Sequence, residues 1–407
     1  MSGIRLYSSN RLEILAETLA DELSRPLSSP LEQEVIVVQS RGMERWVSMQ
    51  LARHHGICAN YRFPFPNAFV YETFRKVFID LPERSPFEPA VMTWKIVKLL
   101  PELTLQPGFE VIRNYLDDDV SGLKSFQLAE RIADLFDQYL LFRPEMVLNW
   151  QGGQEDHWQA VLWRSLVDGC EMQHRAALAK EFLEKINHSP SDFVGLPERI
   201  SIFGISALPR FHLQVIAGIA KATEVNLFLM NPCQQYWGDI ASEREIGRAV
   251  SDRLVLPEDV YLERGNSLLS SMGLLGRDFW DSINEFQVLE NESFQEPEGN
   301  HLLSFIQSDI LNLQDRSEQK EVQFISQEDA SIQIHSCHSP MREMEILYDR
   351  LLYMFDNDPS LTPRDILVMV PDIEAYAPYI ETVFDTPADE NTRIPYSIAD
   401  QSMRKES

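Results

Sequence analysis

The stretch from Val35 to Ala52, "VIVVQSRGMERWVSMQLA", places a short apolar run directly before an amphipathic pattern. The run "VIVV" predicts a buried strand, a short turn centred on Gly42 follows, and Trp46 and Leu51 begin a helical pattern. A nucleotide-hydrolysing motor carries its phosphate-binding loop in a strand, loop and helix of this kind. The segment therefore favours a parallel α/β sheet and raises the question of motor chemistry.

The residues with which a motor handles nucleotide are missing from this segment. A Walker A loop needs glycines for phosphate, a lysine for the outer phosphates and a Ser or Thr for magnesium. Here the loop reads Gln-Ser-Arg-Gly-Met-Glu-Arg, and the dipeptide Gly-Lys occurs nowhere in the chain. A later strand, Ile200–Ile205, ends in "SALPRF" without the acidic residues of a Walker B strand. We expect no ATP hydrolysis, while a degenerate adenine site stays open as an alternative.

Length and composition indicate several domains in a reducing compartment. A chain of 407 residues with 44% hydrophobic residues is long enough for two or three cores. The four cysteines are scattered and form no Cys-x-x-Cys pair, so neither a disulfide framework nor a zinc site is predicted. No run approaches the roughly 20 apolar residues that a bilayer requires. We expect a cytoplasmic protein without membrane association.

Charge is distributed unevenly along the chain. The net charge of −27 argues against a nonspecific coat of nucleic acid, because phosphate binding is driven by cations. Residues 1–80 nevertheless contain nine basic and nine acidic residues, whereas residues 281–330 contain two basic and twelve acidic ones. A neutral, arginine-bearing segment within an acidic chain is compatible with a localised DNA-binding site.

Hydrophobic periodicity divides the chain into five parts. Residues 1–75 open a sheet domain, residues 76–198 follow a helical pattern, and "RISIFGI" and "EVNLFLMNP" return strands to the sheet within residues 199–280. Residues 281–330 form an acidic linker with one helix, "HLLSFIQSDILNL". Strand, helix and strand on this spacing predict a parallel, doubly wound sheet interrupted by an all-helical insertion.

Residues 331–407 begin a second α/β unit. The segments "ASIQIHSC" and "DILVMVPD" predict strands, and the helical patterns "MREMEILYDRLLYMF" and "YAPYIETVF" follow them. The chain stops soon after "IPYSIAD" with no closing element. We expect a piece of a longer protein, with a natural terminus on a small third domain as the alternative.

The segment "RFPFPNAFVYETF" concentrates aromatic residues beside Arg62. Such rings stack on unpaired bases, which contributes roughly 1–3 kcal/mol per base. Core packing is the simpler interpretation for most of the five rings, with Phe65 between two prolines as the exception. The rings are Phe63, Phe65, Phe69, Tyr71 and Phe74.

The segment "RIADLFDQYLLFRP" predicts a helix with one apolar face and one polar face. Ile132, Leu135, Phe136, Tyr139 and Leu140 form the apolar face, while Arg131, Asp134, Asp137, Gln138 and Leu141 point in other directions. Asp, Gln and Arg near aromatic rings hydrogen-bond exposed base edges. A solvated outer face is the alternative, as it is for the carboxylates Asp117, Asp118 and Asp119, which a divalent ion could also bind.

Ten motifs in one order resemble the N-terminal part of the RecC family, the gamma subunits of exodeoxyribonuclease V (RecBCD). They are "YSSNRLEIL", "VIVVQSRGMERW", "NYRFPFPNAF", "ADLFDQYLLFRP", "FGISALP", "NPCQQYWGDI", "LLGRDFW", "IQSDIL", "CHSPMREMEILYDRLL" and "LTPRDILVMVPDIEAYAPYIETVF". The resemblance implies an inactive superfamily 1 helicase fold. Its parallel-sheet domain 1A carries a large all-helical 1B-like insertion, and a second helicase-like α/β domain, 2A, begins near residue 331.

The resemblance implies a noncatalytic subunit with RecB and RecD as partners. Such a subunit splits duplex ends, guides the single strands and scans the 3′-terminated strand for the recombination hotspot Chi. The assembly uses ATP and Mg²⁺, whereas this chain is expected to hold neither cofactor. Two alternatives stay open: an ATP-dependent helicase with a disguised phosphate loop, and a protein-interaction scaffold that never touches DNA.

The Chi-scanning positions of the family fall on polar and aromatic residues of the quoted motifs. They are Gln39, Arg41, Arg45, Phe65, Tyr71, Asp134, Leu135, Asp137, Gln138, Arg143 and, in "HRAAL", Arg175. Four of them depart from the enteric pattern, with Arg for Thr and Gln at 41 and 45, and Phe and Tyr for Leu and Trp at 65 and 71. Because Arg favours guanine or phosphate, we expect a preferred sequence other than the enteric Chi.

Overall fold

The computed structural model describes residues 3–78, 80–190, 193, 195–242, 244–247, 265–286, 288–316, 323–387 and 389–399. The chain divides into two compact units. The first consists of residues 1–300 and 304–324, and the second of residues 301–303 and 325–407.

A six-stranded parallel sheet forms the centre of the first unit, with the spatial order β3-β2-β4-β5-β1-β6. The strands are β1 (Ile4–Ser9), β2 (Glu34–Val37), β3 (Tyr61–Arg62), β4 (Arg199–Phe203), β5 (Glu224–Met230) and β6 (Val288–Glu292). Val35 of β2 lies opposite Ile200 of β4, and Ile4 of β1 lies opposite Val225 of β5. The prediction of a parallel sheet that is completed after the helical region is therefore confirmed.

Helices cover both faces of this sheet. Successive side chains of a strand point to opposite faces, so strands that are apolar throughout need cover on both sides. On one face, α1 (Leu12–Leu23) and α2 (Arg41–His55) pack around Phe203 and Phe228. On the other, α3 (Pro66–Val77), α9 (Arg175–His188) and α10 (Arg210–Ile219) pack on the intervening strand residues. The sheet is thus doubly wound.

The helical region between β3 and β4 has a hydrophobic cluster of its own. It contains α4 (Pro89–Leu103), α5 (Glu110–Leu116), α6 (Leu123–Phe142), α7 (Pro144–Gln151) and α8 (Trp158–Val167). Phe136 and Trp163 meet edge to face in this cluster, with ring centroids 5.4 Å apart. In contrast, Phe182 and Ile186 of α9 pack with the sheet cluster. Helix α9 therefore joins the two clusters. The predicted domain boundaries at residues 76 and 198 stay predictions.

The acidic segment contains a strand that periodicity did not predict. Strand β6 pairs with β1, and beyond it the backbone N–H of Ser293 donates to the carbonyl of Ser8 at 2.9 Å. Most β6 side chains are exposed, because an edge strand is held by its backbone ladder and needs no apolar face. The other elements here are α11 (Ser267–Met272), α12 (Leu274–Asn284) and α13 (Leu302–Leu311), of which α13 is the predicted helix.

The second unit is helical in its described part, which corrects two predicted strands. Its helices α14 (Pro340–Asn357) and α15 (Ile373–Phe384) pack around Tyr348, and a short 3₁₀ helix spans Pro363–Asp365. The segments "ASIQIHSC" and "DILVMVPD" form no strand among the described residues, and Ile334 is 92% exposed. A strand requires a neighbour for its N–H and C=O groups, and the described part of this unit offers none.

A buried arginine ties the amino ends of two strands together. Arg199, the first residue of β4, is 3% exposed, and its Nε donates to Glu34 of β2 at 3.2 Å. Its Nη1 donates to the carbonyl of Glu22 at 2.7 Å and its Nη2 to that of Arg25 at 2.8 Å. The guanidinium thus provides hydrogen-bond donors to two carbonyl groups at the end of α1 and to the carboxylate of Glu34, the first residue of β2.

Replacement of Arg199 is predicted to destabilise the sheet. Arg199→Met leaves the Glu34 carboxylate, whose side chain is only 13% exposed, without its cation and removes the donors of two carbonyls, which costs about 3 kcal/mol of unfolding free energy. Urea denaturation measures the loss. The matched control is Arg210→Met, since Arg210 is 66% exposed in its pair with Glu285 and should lose less than about 1 kcal/mol. Equal losses in the two variants would contradict this account.

Candidate nucleic-acid interface

The exits of β2 and β3 place Gln39 beside Phe65. Parallel strands end at the same edge of a sheet, and here the N–H of Val38 donates to the carbonyl of Pro64 at 3.2 Å. Gln39 follows Val38 and Phe65 follows Pro64 in the sequence. Both side chains are exposed, and Phe65 is 41% exposed. Two predicted DNA-contacting residues therefore lie on neighbouring segments at the carboxyl edge.

Helix α2 begins earlier than the sequence suggested. The predicted turn centred on Gly42 is wrong, because Ser40 caps the helix and its Oγ accepts from the N–H of Met43 at 3.1 Å. Arg41 is the first residue of α2, and Arg45 lies four residues later on the same face. Both side chains are exposed. We call Gln39, Arg41, Arg45 and Phe65 the edge group.

The start of α2 is packed against the end of β4. Gly204 follows β4 with φ of 63°, and an added Cβ would lie 2.8 Å from Cε of Met43. The Met43 side chain therefore occupies the space directly above this glycine. Behind it, Trp46 of α2 stacks on Phe203, with ring centroids 6.1 Å apart.

Helix α6 carries most of the other predicted contacts, which we call, together with Arg175, the helix group. Asp134 and Gln138 are exposed one turn apart, Leu135 and Asp137 are half-buried, and Arg143 is exposed at the end of the helix. The apolar face packs as expected, with Ile132, Phe136 and Leu140 buried. Leu141 points away from this face, as expected, and packs against the sheet cluster.

An ion pair joins two members of the helix group. Nη2 of Arg175, the first residue of α9, lies 2.5 Å from Oδ1 of Asp137. Burial raises the pKa of Asp137, and the positive charge of Arg175 opposes that rise. The Nη1 atom of Arg175 is buried and has no hydrogen-bond partner among the described residues. Arg175 thus holds Asp137 in place and retains one donor.

An arginine without an acidic partner has its full charge and all its donors available to a phosphate. Within the described part of the chain, the exposed residues Arg41, Arg45 and Arg143 form no ion pair, in contrast to Arg175 and Arg199. In a chain with a net charge of −27, three unpaired cations in the predicted contact set are local exceptions to the overall charge.

The remaining aromatic residues are less accessible than Phe65. Phe69 is 2% and Phe74 is 0% exposed, which confirms core packing for both rings. Tyr71 is half-buried, and its hydroxyl donates to the carbonyl of Pro82 at 2.9 Å. Burial raises the pKa of Tyr71. Its ring is therefore held in a fixed orientation on α3.

A polar residue that sequence reasoning missed connects the elements of the interface. Helix α10 packs against α3, α6 and α9, and His212 in its first turn is 3% exposed. The Nε2 atom of His212 lies 2.9 Å from Oδ1 of Asn67, the second residue of α3. Burial, together with the charge of Arg175, lowers the pKa of His212 to about 4. Only the motif "SALPRFH", a polar residue just after a proline-led helix start, signals this position.

A second buried histidine positions Arg175. His174 precedes α9, and its Nδ1 accepts from the N–H of Ala177 at 3.3 Å. The Nε2 atom therefore carries the proton and donates to Oε1 of Gln151 at 2.7 Å. Burial lowers the pKa of His174 to about 4. The neutral ring is thus required for the cap that starts α9.

Other kinds of site find no support among the described residues. No group of three or more His, Cys, Asp or Glu side chains is arranged to bind a metal ion there. Asp119 instead accepts from the N–H of Ser125 at 2.7 Å, and Asp118 pairs with Lys124, so both carboxylates hold the start of α6. Within the same residues, no helix combines the length and apolar character that crossing a bilayer demands.

The fold and these side chains define an α/β protein with a doubly wound parallel sheet, a helical insertion and an exposed polar and aromatic surface at the sheet edge. Its sequence matches the family model described as "RecC, N-terminal domain" over residues 4–313. The chain belongs to the RecC family.

Curated relatives agree with this assignment. The RecBCD enzyme subunit RecC of Escherichia coli K12 is 38% identical over 447 residues, which cover 99% of this chain and 40% of the relative. The subunit of the same name from Haemophilus influenzae is 34% identical, with 98% and 41% covered, and that of Mycolicibacterium smegmatis is 30% identical, with 94% and 34% covered. The chain spans about two fifths of the length of the curated relatives it matches.

The two buried histidines predict loss of stability in acid. Below a pH of about 6.5 an unfolded chain protonates His174 and His212, whereas the folded chain keeps both neutral down to about 4. The unfolded state binds more protons in this window, so the free energy of unfolding falls as the pH drops from 6.5 to 4. The loss approaches roughly 3 kcal/mol per histidine. Urea denaturation at a series of pH values measures it.

A variant separates this effect from general acid sensitivity. His174→Asn retains a good helix cap but cannot titrate, so its stability should fall less steeply between pH 6.5 and 4 than that of the wild type. The same pH dependence in both proteins would show that His174 is not the buried neutral group described above.

Proposed function

We propose that this chain is a noncatalytic DNA-recognition and strand-guiding part of a RecBCD-type helicase and nuclease assembly, with RecB and RecD as partners. The assembly processes double-stranded DNA ends during repair by homologous recombination. The names of the relatives as RecBCD enzyme subunits support this role. Duplex ends and single strands are the proposed substrates, and scanning of the 3′-terminated strand for a Chi-type sequence is the proposed task.

One observation carries the DNA-binding part of the proposal: the edge group combines unpaired arginines with an exposed ring. Arg41 and Arg45 are exposed and form no ion pair with any residue that the structure describes, and Phe65 is exposed near Gln39 at the same sheet edge. Phosphates bind the arginines and an unpaired base stacks on the ring. Proteins that bind single strands use this combination, because unpaired bases are free to stack on a protein ring.

The helix group supports base recognition in the same way. Asp134 and Gln138 present an acceptor and an amide on one face of α6, and such groups pair with base edges. Asp137 is fixed by Arg175, which limits the ways in which it accepts a hydrogen bond. Fixed donors and acceptors are what sequence discrimination needs, since mobile ones adapt to any base.

The residues at the β2–α2 connection do not fit a bound nucleoside triphosphate. The connection is short, Ser40 is committed to capping α2, and the Met43 side chain fills the space above Gly204. The chain also lacks a lysine at this position. We therefore propose that partners supply ATP and Mg²⁺ chemistry, and that this chain guides DNA without hydrolysing nucleotide.

Removal of the unpaired arginines is predicted to weaken strand binding in a salt-dependent way. The triple variant Arg41→Ala, Arg45→Ala, Arg143→Ala loses up to three phosphate contacts. The slope of log K against log salt for a single-stranded oligonucleotide should then become shallower by about 2. Fluorescence anisotropy of a labelled oligonucleotide over a salt series measures both the affinity and the slope.

The control removes the same charge from the second unit. Arg342, Arg364 and Arg393 are exposed there, and their joint replacement by alanine should leave affinity and salt slope close to the wild-type values. Equal weakening in both triple variants would mean that net charge alone governs binding. Absence of binding by the folded wild-type chain would contradict the proposed strand contact.

A further inference from the structure

Asn67 lies where the edge group meets the helix group. It is the second residue of α3, two residues after the exposed Phe65 and four residues before Tyr71, so it shares a helix face with that tyrosine. Its side chain is exposed. None of the motif-based assignments includes it, although the chain places it between two of the predicted contacts.

The orientation of the Asn67 amide is determined by a buried partner. Oδ1 lies 2.9 Å from Nε2 of His212, and His212 is 3% exposed. The other ring nitrogen, Nδ1, is buried without a partner among the described residues. A rigid, buried ring that contacts one amide oxygen holds the exposed amide in one of its two orientations.

The nearby cation selects the tautomer of that ring. Arg175 is close enough for its charge to lower the pKa of His212, and its Nη1 donor is itself without a partner among the described residues. A positive charge and a free donor favour the tautomer in which the unpartnered nitrogen, Nδ1, carries a lone pair and no proton. The proton then resides on Nε2, which donates to Oδ1 of Asn67, and the Nδ2 group of Asn67 has no partner among the described residues.

We propose that Asn67 is a further sequence-reading residue of this surface, and that His212 holds its amide so that Nδ2 donates to a DNA base. On the major-groove edge, the bases with matching acceptors are guanine through O6 and N7, adenine through N7 and thymine through O4, whereas cytosine presents a donor. This inference rests on the proposed function. It assigns His212 as a positioning residue, because His212 acts on DNA only through Asn67.

The proposal also explains how the two contact groups act together. Asp137 pairs with Arg175, the charge of Arg175 lowers the pKa of His212 without a direct hydrogen bond between them, and His212 contacts Asn67. A change at Asp137 or Arg175 therefore alters the hydrogen-bonding face of Asn67 on another helix. Base preference at the two groups is consequently coupled.

The experiment selects bound strands from a randomised single-stranded library with the full chain and sequences them. Asn67→Ala removes the donor, and the base preference at one position should fall about threefold to tenfold, as loss of one hydrogen bond predicts. The salt slope of binding should stay unchanged, because no phosphate contact is lost. The matched control is Asn187→Ala, an exposed asparagine whose Oδ1 also accepts a hydrogen bond, about 18 Å away along α9 from Arg175.

Two further variants separate reading from folding. Asn67→Asp keeps an oxygen for His212 but replaces the donor by an acceptor, so the preference at that position should move to bases that present an exocyclic amine on the major-groove edge, cytosine through N4 or adenine through N6. His212→Gln retains a donor near the Nε2 position and should keep most of the preference, whereas His212→Leu should lose it. A purely structural role for His212 would lower stability in both variants without changing the preferred base.

The possible outcomes are distinct. Loss or reversal of preference in the Asn67 variants, with Asn187→Ala like the wild type, supports the proposal. A wild-type chain that binds strands but shows no base preference, or an Asn67→Ala variant with an unchanged preference, overturns it and leaves DNA binding intact. A wild-type chain that binds no strand overturns the proposed function and this inference with it.

Discussion

The parallel hydrogen-bond ladder of the six-stranded sheet is the constraint on which the interface depends. Because all strands run in one direction, the segments that leave them meet at a single edge. The bond from the Val38 N–H to the Pro64 carbonyl sets Gln39 beside Phe65, although the two residues are distant in sequence. Arg199 secures the opposite edge by joining β4 to β2 and α1. Side chains that are scattered along the chain thereby become one surface.

Helix α10 extends this surface from the sheet edge to the helical insertion. It contacts α3, α6 and α9, so the helices that carry Tyr71, the α6 residues and Arg175 share one support. The polar atoms at this junction are largely buried, and an unpaired buried donor or acceptor is costly. The paired atoms, such as Nη2 of Arg175 with Asp137 and Nε2 of His212 with Asn67, are therefore held in place, while Nη1 of Arg175 and Nδ1 of His212 have no partner among the described residues. Rigid placement of donors and acceptors is the property that distinguishes a sequence-reading surface from a general polyanion-binding one.

Sequence patterns predicted the parts of the fold in which burial is strong and failed where backbone pairing or distant contacts decide. "VIVV" is a continuous apolar run and "RISIFGI" is mostly apolar, because both faces of their strands are covered. Strand β6 lies at an edge and has no such pattern, and "DILVMVPD" has the pattern but no described neighbour to pair with. The contact between His212 and Asn67 joins residues 145 positions apart, which no local periodicity reveals.

Hydrogen–deuterium exchange of the chain with and without a saturating single-stranded oligonucleotide tests the central claim most directly. The account predicts slower exchange in residues 38–46, 63–71 and 131–143, because these segments carry the edge group, Asn67, Tyr71 and the polar face of α6. Exchange in α14 and α15 should stay unchanged. Saturated binding that leaves all three segments at their DNA-free exchange rates would contradict the account and place the strand on another surface.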